Sequence, residues 1–498
     1  MRKKIFSILL CLVLMTGIIT GCSSSEEKTD GGKTSKEDKV SQDSSDEKAP
    51  SEKEHEPITI TIGPWPAEDE TENLARAEEQ LKEMKEKYPW ITTKPDRFPY
   101  DVKSFLPRAE AGQLPTLYDA HMTEPPKIIA GGYAADITDV MKEWGYDKSV
   151  NKQVLDVATK DGRYYGLPYS VYTMGLNYNI NMMKEAGLVD EDGKPQIAKT
   201  WDDVVEFAKK IKDATGQAGF TIPSLNNMGG WQFLNIAWGF GADFEEQGED
   251  GNWTAIFNSP EAVEAMQWVK DLKWEHDVIP ANPLLEGEDV DQFFASDQLG
   301  MKLRDFGNFA SLVRDFGMQK DNIAISRMPG GKAGDYAQLG GSLHMFAPDA
   351  TKEEIDAGFK WLEITGFSDK TDKESLDIFR KQQETDAADG LIIGPYGVPE
   401  IWPNSERSNE EMKIRKELAN VDLSLYEDYL NAGDEITIYP EPAVNAQELY
   451  KLLDNVVQAV WTDKNADPKT LLDKATEDFQ RDYLDPFNES GGASEGQE

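Results

Sequence analysis

The sequence predicts an α/β protein, and three observations carry that expectation. Period-two apolar runs alternate with amphipathic stretches of helical spacing along most of the 498 residues. Hydrophobic residues at 39%, with 40 glycines besides, give the apolar share of a packed chain. No segment recurs at a fixed period of about 20 to 50 residues, so a solenoid is not expected. A chain of this length should hold two or three cores, or one large two-lobed body.

Charge narrows the partners. The formal net charge is −40, from 52 Lys+Arg and 92 Asp+Glu. Such a surface repels phosphate backbones and lacks the basic footprint from which nucleic-acid affinity is built, so nucleic acid is not an expected partner.

At the start of the chain, residues 1–4 are basic and 5–19 apolar apart from Ser7, Thr16 and Gly17. Ile19-Thr20-Gly21-Cys22 follows and resembles the bacterial lipobox, in which the leader is cut before a cysteine that takes lipid. Residues 1–21 are therefore read as a signal peptide, and Cys22 as the lipidation site. Cys11 would leave with the leader, and no disulfide or thiol site would remain. Residues 22–57, rich in Ser, Glu, Lys, Asp and Gly, cannot bury enough surface to order themselves and are read as a disordered tether. The membrane is expected as a partner through this anchor only. A disordered tail is expected over 491–498.

The folded body opens on Ile58-Thr59-Ile60-Thr61-Ile62, a strand by its alternation, ending at Gly63-Pro64. Leu74, Ala77, Leu81, Met84 and Tyr88 then line one helical face, which Pro89 stops. Residues 114–117 read as a further strand, placing Asp119 and His121 at its carboxyl edge. Residues 161–168 form a tight hairpin leading into an extended segment over 169–179. Thr200 should cap a helix running to 212, with Asp202 and Asp203 in its favourable first turn.

On these residues the chain resembles the extracellular solute-binding proteins of ABC importers, in the branch that includes maltose-binding proteins. The pattern is Asp161-Gly162 with Tyr165-Gly166-Leu167-Pro168, then Tyr178-Asn179, Ala186-Gly187-Leu188 and Thr200-Trp201-Asp202-Asp203-Val204. Looser landmarks fall in the expected order: Ala111 to Pro115, Gly241-Ala242-Asp243, Met328-Pro329-Gly330-Gly331 and Gly340-Gly341-Ser342. Thr116 departs from the family's preferred Asp. The resemblance implies a type II periplasmic-binding-protein-like fold with two lobes joined by hinge strands. It places lobe 1 at 58–170 and 328–400, and lobe 2 at 171–327 and 401–490, with crossings near 170–174 and 326–339. It further implies a monomer on the extracellular face of a Gram-positive type of cell membrane, binding carbohydrate and delivering it to ABC permease subunits.

A carbohydrate site needs flat aromatic faces and planar polar groups. Trp65, between two prolines just past the first strand, meets the first need, and Asp119 and His121 at the strand edge meet the second. Tyr169 and Tyr172 follow Gly-Leu-Pro where the family presents a ligand contact, with Tyr169 favoured. Asn226, Asn227 and Trp231 form a glycine-rich platform before an apolar helix, in which Trp238 is read as core. Arg304 and Asp305 end an apolar strand, and Gly341 could bring backbone amides to a ligand. An acidic plant-polysaccharide fragment would need arginines, with Arg97, Arg163, Arg304 and Arg327 as candidates.

No H-E-x-x-H, G-x-S-x-G or P-loop motif occurs, and the four histidines show no ligand spacing, so no enzyme activity, metal or cofactor is expected. Asp190-Glu191-Asp192-Gly193 places its glycine too early for an EF-hand loop and reads as a solvated turn. Two other functions stay open: a polysaccharide-degrading hydrolase or lyase, because 92 carboxylates always permit a catalytic pair, and a sensory surface lipoprotein on the same fold.

Overall fold

A computed structural model of the chain describes residues 55–489, leaving aside 395, 397, 433 and 434. The expected signal peptide, Cys22, most of the tether and the tail over 491–498 lie outside the described residues.

Two sheets organise the rest. Their strands, in chain order, are β1 (Ile58–Ile62), β2 (Ile91–Pro95), β3 (Leu117–His121), β4 (Gly166–Thr173), β5 (Gly175–Asn179), β6 (Ala218–Thr221), β7 (Leu299–Arg304), β8 (Ile323–Arg327), β9 (Tyr336–Phe346) and β10 (Thr437–Pro440). The first sheet pairs β1 parallel with β2 and β3, and β3 antiparallel with β9 from Ser342↔His121 to Phe346↔Leu117. On its other edge β9 takes β4, with a bulge at Ser342/Leu343, and its first residues pair with β10. The second sheet runs β8-β5-β7-β6, with β5 antiparallel to both neighbours. Each sheet with its helices is one lobe, so the fold is two-lobed α/β.

Local sequence explains these elements. In β1 the alternation buries Ile60 and Ile62 completely. The following helix (Thr71–Lys87) turns Ala77 and Met84 into the lobe, with Leu74, Leu81 and Tyr88 half-buried. The helix Trp201–Thr215 starts on a capping box in which Thr200 and Asp203 satisfy each other's backbone N–H, and it buries Val204, Ala208 and Ile211. Strand β3 begins at Leu117, three residues later than the 114–117 expected, because Pro115 keeps Leu114 out of the ladder. Asp119 therefore sits within the strand, and His121 ends it.

Three segments carry the chain between the sheets. They are Thr173 to Gly175, Arg327 to Tyr336, and the stretch from Pro440 to the helix Ala446–Thr462. The last crossing and that helix follow β10, which belongs to the first sheet although the residues after 400 were expected in lobe 2. Trp402 likewise packs with the lobe 1 residues Tyr146 and Phe367, its ring 4.9 Å from each. Tyr429 donates to the Thr173 carbonyl at 2.9 Å, and the backbone N–H of Arg327 donates to Asp428 at 3.0 Å, so the 426–430 turn fastens two crossings together.

Candidate functional site

Strand geometry points to a candidate site where β3, β4 and β7 end against the crossings, since open α/β sheets hold ligands outside the carboxyl ends of their strands. Trp231 arrives there on the first turn of the helix Met228–Phe240. Asn226 and Asn227 precede it with φ of 58° and 67°, the left-handed turn that Asn tolerates. That helix start is capped from another helix: Asp454 accepts from Asn227 N–H and from Gly230 N–H, each at 2.7 Å. Burial nevertheless pushes the Asp454 carboxyl up to about 6. Asn227 also donates its amide to the Gln447 carbonyl at 3.0 Å.

Opposite Trp231 stands Glu441, on the third crossing. The indole N–H donates to it at 3.2 Å, and Tyr450 donates its hydroxyl to the other oxygen. Burial pushes Glu441 up to about 7 against those hydrogen bonds, and the Glu124 carboxylate adds to the rise. Glu124 enters from lobe 1, three residues past β3, buried and accepting from Thr123 Oγ1 at 2.9 Å. Glu448 is likewise raised by burial, with Lys127 opposing and Glu124 reinforcing.

Arg304, the last residue of β7, has its guanidinium 5.8 Å from the Trp231 ring and 3.7 Å from the Asp305 carboxylate. Its backbone carbonyl accepts from Asn177 at 3.1 Å. Burial raises Asp305, and Arg304 opposes that rise. Tyr172 on β4 completes the cluster. Its ring lies over Gly340, where a Cβ would come within 2.5 Å of it. Burial, then the carboxylates of Glu441 and Asp305, raise its hydroxyl. Beneath, Asn235 and Gln338 form a fully buried pair, the Asn235 amide donating at 2.9 Å and the Gln338 N–H answering at 3.0 Å. Among the described residues, Asn177 Oδ1, Gln232 Oε1 and Arg304 Nε are buried without a hydrogen-bond partner in the protein.

The structure thus brings Tyr172, Trp231, Arg304 and Asp305 together, with Asn227 at the helix start behind them. Asn226 is exposed on the rim. His121 is exposed and meets the Tyr100 ring edge-on at 5.0 Å. Asp119 and Tyr169 form a separate group: Tyr169 donates to Asp119 at 3.0 Å, Asp119 meets His344 Nδ1 at 2.6 Å, and the Tyr169 and His344 rings stack at 4.1 Å. Trp65 stacks on Trp361 at 6.1 Å and packs on the lobe 1 core. Gly341 has φ of 145° and is a strand requirement, because a Cβ there would lie 2.0 Å from the Ser170 carbonyl oxygen. Arg163 pairs with Asp136, and Arg327 with Asp428 and Glu435, so neither is free for an acidic ligand. Trp238 is core, 3% exposed. Glu124, Glu441, Glu448 and Tyr450 were not singled out from sequence; only Trp231's neighbours could have been followed to them, and those neighbours are distant in the chain. Among the described residues no group of three or more His, Cys, Asp or Glu could hold a metal, and no helix is long and apolar enough to cross a membrane.

The model of the bacterial extracellular solute-binding protein family matches residues 75–364. Arabinooligosaccharide-binding proteins of Halalkalibacterium halodurans and Bacillus subtilis are similar to the chain. The first is 28% identical over 205 residues, covering 39% of this chain and 43% of that protein. The second is 26% identical over 300 residues, covering 56% of this chain and 64% of that protein. The chain thus spans less than two thirds of the length of these relatives. A solute-binding protein of an ABC transporter from Thermotoga lettingae, solved bound with α-D-tagatose, shares the fold with a TM-score of 0.59 at 20% identity, over 85% of this chain and 99% of that one.

Proposed function

The chain belongs to the bacterial extracellular solute-binding protein family, and on that premise we propose that it captures an uncharged oligosaccharide between its lobes and delivers it, chemically unchanged, to an ABC importer. The observation that carries this reading is the cluster of Tyr172, Trp231, Arg304, Asp305 and Glu441. It offers two aromatic faces to the C–H surface of a sugar and planar groups of both polarities to its hydroxyls. Glu124 and Glu448 from the two lobes flank it. Carboxylates there outnumber the cations Arg304 and Lys127, so a neutral sugar is favoured over a uronide. The arabinooligosaccharide-binding relatives support a sugar ligand. Ligand bridging both lobes would stabilise the closed arrangement by its differential affinity for it.

In this reading lipid on Cys22 moors a monomer outside the cell, and the membrane permease subunits are the protein partner. Feeding a radiolabelled lipid precursor should mark the wild type and leave Cys22→Ala unlabelled; equal labelling would remove the anchor.

Calorimetry with arabino- and maltooligosaccharides, against oligogalacturonides, tests the capture. Saturable one-to-one binding of a neutral sugar, recovered intact, is expected. A ligand at 100 times its Kd would stabilise the fold by about 2.7 kcal/mol, visible as a thermal shift. Steady release of shorter sugars would replace the receptor with a hydrolase, and preference for the galacturonides would overturn the charge argument.

A further inference from the structure

A cavity of about 420 Å³ lies away from the Trp231 cluster, against the outer edge of β4. Its walls are Tyr169 on β4, Trp402, and one side of the helix Glu406–Glu417, which presents Arg407, Glu411, Met412 and Arg415. The volume suits one sugar ring with its substituents. Two of the three arginines in this part of the molecule are fully engaged. Arg407 pairs with Glu411 at 2.7 Å and donates to the Gly366 carbonyl, and Arg380 forms a two-bond fork with Glu417 at 3.0 and 2.7 Å.

Arg415 is different. It is mostly buried and lines the cavity, its guanidinium 5.0 Å from the Phe379 ring, and among the described residues it has no ion pair. Glu411 and Glu400 are near enough to be felt but not in contact, and burial lowers the Arg415 pKa. A guanidinium removed from water without a carboxylate in contact is costly, and its fork matches an incoming carboxylate in geometry. Glu411 and Ser408 stand where they could meet hydroxyls, and Phe367 and Tyr169 supply apolar ring surface.

We infer that this cavity is a second ligand site, taking a monosaccharide-sized sugar acid whose carboxylate seats on Arg415 while its ring lies along Phe367 and Tyr169. The site is independent of the cleft, and because Ser170 and Val171 of the same wall lead into the first crossing, its occupant touches the strand that enters that crossing.

The test is calorimetry on the folded wild-type protein with D-galacturonate, D-galactose and acetate as probes. Saturable binding of galacturonate is expected, at least tenfold tighter than galactose and than acetate. Arg415→Gln should weaken it at least tenfold and leave neutral-oligosaccharide binding in the cleft unchanged, whereas Trp231→Ala should do the reverse. Met412→Trp, which fills the cavity while keeping the guanidinium, should also abolish galacturonate binding and covers the case in which Arg415→Gln fails to fold. Absence of galacturonate binding, equal binding of galactose or acetate, or retention of it in Met412→Trp would overturn the inference. Loss through Trp231→Ala would place the sugar acid in the cleft and overturn it too, without touching the cleft reading itself.

Discussion

Trp231 and Glu441 meet at 3.2 Å, indole N–H to carboxylate, across 210 residues of chain. One comes from a helix of lobe 2 and the other from the third crossing, so their contact ties the aromatic face of the site to a segment that joins the two sheets.

Removing that face should cost affinity. Trp231→Ala is expected to weaken oligosaccharide binding by about 1–3 kcal/mol. Trp231→Phe, which keeps a ring but loses the N–H, should weaken it less, by about 1 kcal/mol. Titration calorimetry of the two variants checks the order, and equal affinity in all three proteins would take Trp231 out of the site.

Stability should fall as pH rises through neutrality. Glu441, Glu245 and Asp454 are pushed up to about 7, 8 and 6 from ordinary values of 4.5, 4.5 and 3.8, in each case chiefly by burial. A carboxyl raised in the fold holds its proton longer there than in the unfolded chain. Its contribution is full below the unfolded value and is lost as pH climbs through the folded one, here between about pH 4 and 8. Glu441→Gln should flatten that dependence by about 1–3 kcal/mol over the window. Thermal melts at half-unit pH steps measure it; an unchanged slope in the variant would rule Glu441 out as a source.

Asp454 holds the start of the helix Met228–Phe240 from a neighbouring helix, through two backbone hydrogen bonds at 2.7 Å. Asp454→Ala leaves both donors unpaired and should cost about 2–4 kcal/mol in denaturant unfolding. Asp454→Asn keeps one good acceptor and should cost less. Because Trp231 rides on that turn, both variants should also lose sugar affinity at temperatures where they remain folded.

Gly341→Ala should destabilise by about 2 kcal/mol or more, since φ is 145° and the new Cβ would meet the Ser170 oxygen at 2.0 Å. A melt within a degree of the wild type would show that the β4–β9 pairing relaxes around it.

Much of the fold was legible because its signals are local. Alternation marked β1, and Thr200 with Asp203 marked the start of its helix. In the candidate site, Trp231 and Arg304 were legible because each follows a recognisable local event, a glycine-rich stretch before an apolar helix in one case and the end of an apolar strand in the other. Glu441, Glu124 and the Asn235–Gln338 pair were not, because each is defined by a partner supplied from a remote stretch, and an isolated Glu or Gln carries no local mark. Trp65 shows the converse. Between two prolines it reads as an outward-facing ring, and only Trp361, from the other end of lobe 1, reveals the surface it packs on. Tyr169 was favoured over Tyr172 by position after Gly-Leu-Pro, yet the bulge between Ser342 and Leu343 breaks the pairing there, and Tyr169 lies with Asp119 and His344 while Tyr172 reaches Arg304 and Glu441.

Asp119 on β3 and His344 on β9 sit side by side but are 225 residues apart in sequence. The ribosome therefore delivers β3 long before the strand that covers its flank, with the whole second sheet emerging in between. Until then β3 exposes a bare ladder of amides and carbonyls, the kind of edge on which nascent chains stick to one another. The first sheet can close only after the second sheet has been made, and the helix Ala446–Thr462 that completes the second lobe comes later still, so neither half is a natural unit for truncation, and an export route that holds the chain unfolded until synthesis ends would spare it that hazard.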